Sequence, residues 1–153
     1  MMAGARWLRA TVLFLLPPVA GAVLGSLTAE CGPGASGEWA PLGYAIITAL
    51  ASLGGAFVGL LLGAFGGVAS RERRWIALLA FPIGDGLVTP AAFNVAAAVV
   101  DPYRRRFMPE LLLLYGPVCG GVAGVGASLI GLLVWWSALR RSRRRKGGES
   151  SAG

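Results

Sequence analysis

Four long apolar stretches alternate with short polar ones along the chain, at about residues 10–29, 41–69, 75–100 and 111–137. Each reaches or passes the roughly 20 residues an α-helix needs to cross the hydrocarbon layer. The pattern predicts an all-α integral membrane protein, with four transmembrane helices in a compact bundle. On this reading 1–9 is a cytoplasmic N-terminal segment, 10–138 is the transmembrane domain, and 139–153 is a basic, disordered cytoplasmic tail.

Within these stretches glycine recurs at every fourth position. Ala51, Gly55, Gly59, Gly63 and Gly67 form one row, and Gly116, Gly120, Gly124 and Ser128 form a second. A shorter row, Gly21 and Gly25, follows Pro17 and Pro18 in the first span. Residues i and i+4 lie one above the other on a helix, so each row predicts a groove nearly free of side chains. In water each interior glycine costs about 1 kcal/mol against alanine. In lipid the backbone has no other way to satisfy its hydrogen bonds, so the helix holds and the groove admits a second helix. Two uses follow: packing between helices of one chain, or a homo-oligomer seam.

Charge then orients the bundle. Charged residues make up 14% of the chain, below the roughly 25% of an ordinary soluble domain. The net charge of +7 is gathered in blocks beside the apolar spans. Arg6 and Arg9 precede the first span; Arg71, Arg73 and Arg74 follow the second; Arg140, Arg141, Arg143, Arg144, Arg145 and Lys146 follow the fourth. Placing both termini in the cytoplasm puts these eleven inside and only Arg104, Arg105 and Arg106 outside, as the positive-inside rule demands. That Arg triplet is the one block against the trend. Trp39, Trp75, Tyr103, Trp135 and Trp136 fall near span ends, where amphipathic rings anchor at the interface. The first span resembles a signal peptide in layout, but its apolar run is long and Leu27 and Ala29 make a poor cleavage site, so it is read as an uncleaved span. Abundant Arg, Ala and Gly point to a bacterial origin, hence to the bacterial cytoplasmic (inner) membrane.

The third span differs from the rest. Its centre, FPIGDGLVTP, carries Pro82, Gly84, Asp85, Gly86, Thr89 and Pro90. Two prolines and two glycines around one carboxylate predict a helix broken near Gly84–Gly86. Asp85 lies ten residues from Trp75, or about 15 Å along a helix, close to the bilayer midplane. A charge there costs about 3 kcal/mol, so Asp85 is protonated, paired, hydrated or shallower than that. Asp85 and Thr89, one turn apart, are the candidate ion or proton site, and Asn94 falls on the opposite side if the helix is unbroken. The alternative is that Asp85 caps the second half-helix.

Little else carries chemistry. The chain has no His and two Cys, which removes His/Cys metal sites and His-based nucleophilic triads. No phosphate-binding loop is present, and an isolated acid is a poor basis for an active site, so no catalytic residue, metal or cofactor is assigned. Cys31 and Cys119 differ in depth and are read as separate thiols. The tail cations, Arg140 to Lys146, suit anionic lipid head groups at about 1 kcal/mol each, and their juxtamembrane position leaves no need to invoke nucleic acid. Two expectations for function remain. One is a non-enzymatic structural or accessory membrane subunit; the other is a small oligomeric ion- or proton-coupled transporter or channel using Asp85.

Overall fold

The computed structural model describes residues 2–31, 40–67, 69–70, 73–101, 104–106 and 108–149, and side chains within 4–29, 42–67, 69–70, 73–101, 105–106 and 108–142. Trp39, Arg71 and Tyr103 lie outside the described residues, as do the side chains of Cys31, Arg104 and the tail cations from Arg143 onward.

The described chain is helical, and four of its helices are long and apolar enough to cross a membrane. Helix α1 is Met2–Cys31, α2 is Ala40–Phe65 and α3 is Arg74–Val100. A 3-10 turn at Arg104–Arg106 leads to α4. Helix α4 opens with one α turn at Met108–Glu110, widens into a π-helical stretch at Leu111–Tyr115 and continues as α-helix over Gly116–Glu149. The widening has a local cause. Pro117 offers no N–H and its ring crowds the carbonyl four residues back. Gly116 N–H reaches back five residues to the Leu111 carbonyl instead.

Helix limits depart from the apolar limits at three ends. α1 begins at Met2 and α4 runs to Glu149, so helix covers part of the segment read as a cytoplasmic lead-in and part of the segment read as a disordered tail. Arg, Leu and Ala are good helix formers, and a helix need not stop where its side chains turn polar. α2 stops at Phe65, short of residue 69, because Gly66 closes the last turn on the Leu62 carbonyl and Gly67 turns to φ +61°.

The expected break in the third span is absent: α3 is one continuous helix containing Pro82 and Pro90. Each proline removes a single backbone bond, and the two lie eight residues apart, so intact turns bridge them. Packing supplies the rest, because α3 is the central helix and α1, α2 and α4 all lean on it. α2 also touches α4, whereas α1 and α4 are not in contact among the described residues.

The interior mixes apolar residues such as Leu78, Phe93, Ala97 and Leu111 with buried polar ones, and the exterior is greasy, unlike that of a soluble protein. Asn94, Thr48, Asp85, Ser52 and Ser128 are fully buried, while Leu50, Phe57, Leu113, Val122 and Leu133 are exposed. Exposed apolar surface on every helix is what a lipid solvent permits and water does not.

A polar seam around Asp85 as the candidate functional site

The contacts between α2 and α3 are made on α2 by a single face. Tyr44, Thr48 and Ser52 occupy one half of it, and Gly55, Gly59 and Gly63 the other. In the glycine half the backbones touch. A Cβ built on Gly63 would meet the Ala77 carbonyl at 2.7 Å, and one on Gly59 would meet the Phe81 carbonyl at 2.6 Å. One on Gly55 would meet the Asp85 carbonyl at 2.5 Å. In the other half, side chains bridge. Tyr44 Oη donates to Asp101 Oδ2 at 2.9 Å, and Thr48 Oγ1 lies 3.1 Å from Asn94 Oδ1. Thr48 and Ser52 also bond back to the carbonyls of Tyr44 and Thr48, which keeps their hydroxyls satisfied inside the bundle.

Other expected glycines meet α3 as well. Gly21 faces Thr89, and Gly25 presses on the Phe93 carbonyl. Gly120 presses on the carbonyl of Gly86, which Pro90 deprives of its usual helical donor, and Gly124 meets the Pro82 carbonyl. Three helices thus offer glycine to the same partner within one chain. Two expected members fall out of the rows. Gly67 lies beyond the end of α2, and a Cβ on Gly116 would meet only the Leu111 carbonyl of its own helix. Ser128 continues the α4 row to the Leu79 carbonyl, 3.5 Å away.

Asp85 sits where the seam turns from side chains to bare backbone. It is fully buried, and neither carboxylate oxygen has a hydrogen-bond partner. Thr89, one turn away, is also buried with its Oγ1 unpartnered. The capping role is therefore not observed: α3 has no half-helix start here, and Asp85 bonds no backbone donor. On the α1 side, the ring of Phe14 lies against Gly84 and packs edge-on against Phe81, with centroids 6.0 Å apart.

Asn94, nine residues beyond Asp85 on the continuous α3, also meets α2, where its Oδ1 lies 3.1 Å from Thr48 Oγ1. The α3 positions that meet α2 step by four through Ala77, Phe81, Asp85 and Thr89, then by five across Pro90 to Asn94. Tyr44, Thr48 and Ser52 have no charged residue within their own helix, α2. Antiparallel pairing of α2 with α3 supplies one, because it sets Tyr44 opposite Asp101 when Gly59 is opposite Asp85.

The ends of the helices hold the cations. Arg105 Nε donates to the Ala98 carbonyl at 2.8 Å, closing the C-terminal turn of α3, where the helix dipole favours positive charge. The Arg140 guanidinium stacks 3.4 Å from the Trp136 ring centroid. Arg141 is exposed beside it. Cys119 carries a free thiol, half-buried in α4. Comparison of the chain with models of protein families, with curated proteins and with solved structures finds no match.

Proposed function

We propose that the protein is a small membrane translocator that binds and passes a proton or a small cation at Asp85. One observation carries the reading: a fully buried carboxyl group in mid-span, with neither oxygen hydrogen-bonded, at the inner end of a run of polar side chains. A buried polar group left unpaired costs about 1–3 kcal/mol, and acids inside membranes mark ion pathways by default. A purely structural protein gains more from a packed apolar residue at this position.

The run gives the ion an approach. Asp101, Tyr44, Asn94, Thr48, Ser52 and Thr89 lie between Asp85 and one end of the α2–α3 contact. Toward the other end the contact is made by Gly59, Gly63, Ala77 and Phe81. This is a half-path that stops at Asp85, and onward passage requires α2 to move on α3. The glycine faces form a zipper that suits such movement, because contacts between bare backbones have no interlocking side chains to unpack. With both termini in the cytoplasm of a bacterial inner membrane, the polar half opens outward and the basic tail meets anionic lipid. The chain is not an enzyme on this reading, and self-association uses lipid-facing surfaces because the glycine rows face α3.

A structural or accessory role is the second reading, favoured by the close glycine packing around α3. Flux into liposomes separates the two. Wild-type protein is expected to carry protons or alkali cations, and Asp85→Asn, reconstituted to the same level, is expected to carry none. Equal flux in both removes Asp85 from the path, and no flux in either leaves the accessory role.

A further inference from the structure

We propose that the species bound at Asp85 is a proton and that the site excludes alkali cations. The choice of ion rests on the translocation reading, in which Asp85 is the group that loads. The packing leaves no space for anything larger. Asp85 is fully buried, and neither its carboxylate oxygens nor Thr89 Oγ1 has open surface. On the α2 side, a methyl group built on Gly59 would stand 2.8 Å from Asp85 Oδ2, and one on Gly55 would stand 2.7 Å from Thr89 Oγ1. The cleft that separates α1 from α2, about 590 Å³ in volume, has Thr89 in its floor but does not open onto its hydroxyl. Thr89 turns its Cγ2 methyl to Gly21 of α1 and its Oγ1 to Gly55 of α2.

The oxygens at hand are also too few for a metal ion. A hard cation that sheds its water takes about six oxygen ligands, or rings of carbonyls in a filter. The unpartnered side-chain oxygens here are the two of Asp85 and the one of Thr89. The Phe81 and Asp85 carbonyls belong to the continuous helical ladder of α3. The Gly86 carbonyl has lost its usual donor to Pro90, but it is pressed against Gly120 of α4.

A proton needs neither a cavity nor a ligand shell. It forms one O–H bond with Asp85 and removes a charge that no neighbouring element balances. Residues 10–29 of α1, all of α2 and residues 111–139 of α4 contain no Asp, Glu, Lys or Arg; their titratable groups are Tyr44, Tyr115 and Cys119. α3 itself holds no other charged residue between Trp75 and Val100. The acid also gains a donor, and Thr89 Oγ1, one turn along the same helix, is an unpartnered acceptor for it. On loading, a hydronium ion gives its proton to an Asp85 oxygen and leaves as water. On release that O–H bond breaks, the carboxylate keeps the electron pair, and a water molecule takes the proton.

The chain has two aspartates, Asp85 and Asp101, so aspartate labelled at Cγ with the magnetic carbon isotope gives two carboxyl signals in nuclear magnetic resonance. Asp85→Asn removes one signal and assigns it, and Asp101→Asn assigns the same pair by elimination. Full-length protein in lipid vesicles is titrated with acid and base at low and at tenfold higher sodium, with choline holding the ionic strength constant, and then with potassium in place of sodium. The Asp85 signal is expected to titrate as one group with the same midpoint in every salt. One alkali cation competing with the proton would lower that midpoint by about one pH unit per tenfold rise in its concentration, by mass action. Such a shift overturns the proton as the bound species, and so does an Asp85 signal that never titrates while that of Asp101 does. Flux is not read. Absence of flux in liposomes therefore removes the translocation reading and leaves proton binding standing, whereas competition by sodium or potassium removes the proton and leaves translocation standing.

Discussion

Gly59 on α2 lies directly against the side chain of Asp85 on α3: a methyl group built on Gly59 would stand 2.8 Å from Asp85 Oδ2. The same methyl would stand 2.6 Å from the Phe81 carbonyl. One missing side chain therefore sets both how closely two helices approach and how tightly the buried carboxyl group is enclosed.

Replacing Gly59 by alanine should force α2 away from α3. Overpacking of this kind costs about 1–3 kcal/mol, and here the obstacle is backbone, which cannot swing aside. Gly126→Ala is the control, because a Cβ there has nothing within 4 Å. Thermal unfolding in detergent should show a lowered midpoint for Gly59→Ala and an unchanged or raised one for Gly126→Ala. Equal midpoints would remove the backbone contact as a source of stability.

Asp85→Ala should raise stability while ending translocation. The substitution withdraws two buried, unpartnered oxygens, each a burden to folding, and adds no bulk against Gly59. A gain on the order of 1 kcal/mol is expected after allowing for the small void left behind. A lowered midpoint would mean that the carboxyl group holds the bundle together.

The two side-chain bridges at the other end of the seam should act as ordinary stabilising contacts. Tyr44→Phe loses the hydroxyl bonded to Asp101, and Thr48→Val loses the bond to Asn94. Each should cost about 0.5–1.5 kcal/mol, with Thr48→Val at the upper end because it is fully buried. The double variant Thr48→Val/Asn94→Leu should cost less than the sum of its parts, a coupling that a double-mutant cycle reads directly.

Membrane orientation can be read with single cysteines in a Cys31→Ser/Cys119→Ser background. Arg106 is exposed after α3, and Ser142 lies on the far extension of α4. An impermeant maleimide should label Arg106→Cys in intact cells, and label Ser142→Cys only after the membrane is opened. The reverse pattern would invert the bundle and turn the polar half of the seam toward the cytoplasm.

Much of the architecture is written locally. The length of the apolar runs and the scarcity of charge determine that lipid is the surrounding solvent, because each run is long enough to satisfy its backbone as a helix and too greasy to face water. Arginine blocks mark where spans end for equally local reasons, whereas the stop of α2 before Gly66–Gly67 came from the fold. The continuity of α3 was not legible. Proline and glycine lower the intrinsic preference for helix, but three helices packed around α3 support it from outside.

The site divides in the same way. Asp85 stands out in the sequence because an acid in mid-span is expensive wherever it points. Its lack of a partner, its contact with Gly59 and the pairing of Thr48 with Asn94 are set by the register of α2 on α3. The separation of α1 from α2 over Thr89 is likewise a consequence of how both rest on α3. Spacing along one helix specifies which residues share its face, whereas the partner of that face is chosen by the packing of all four helices together.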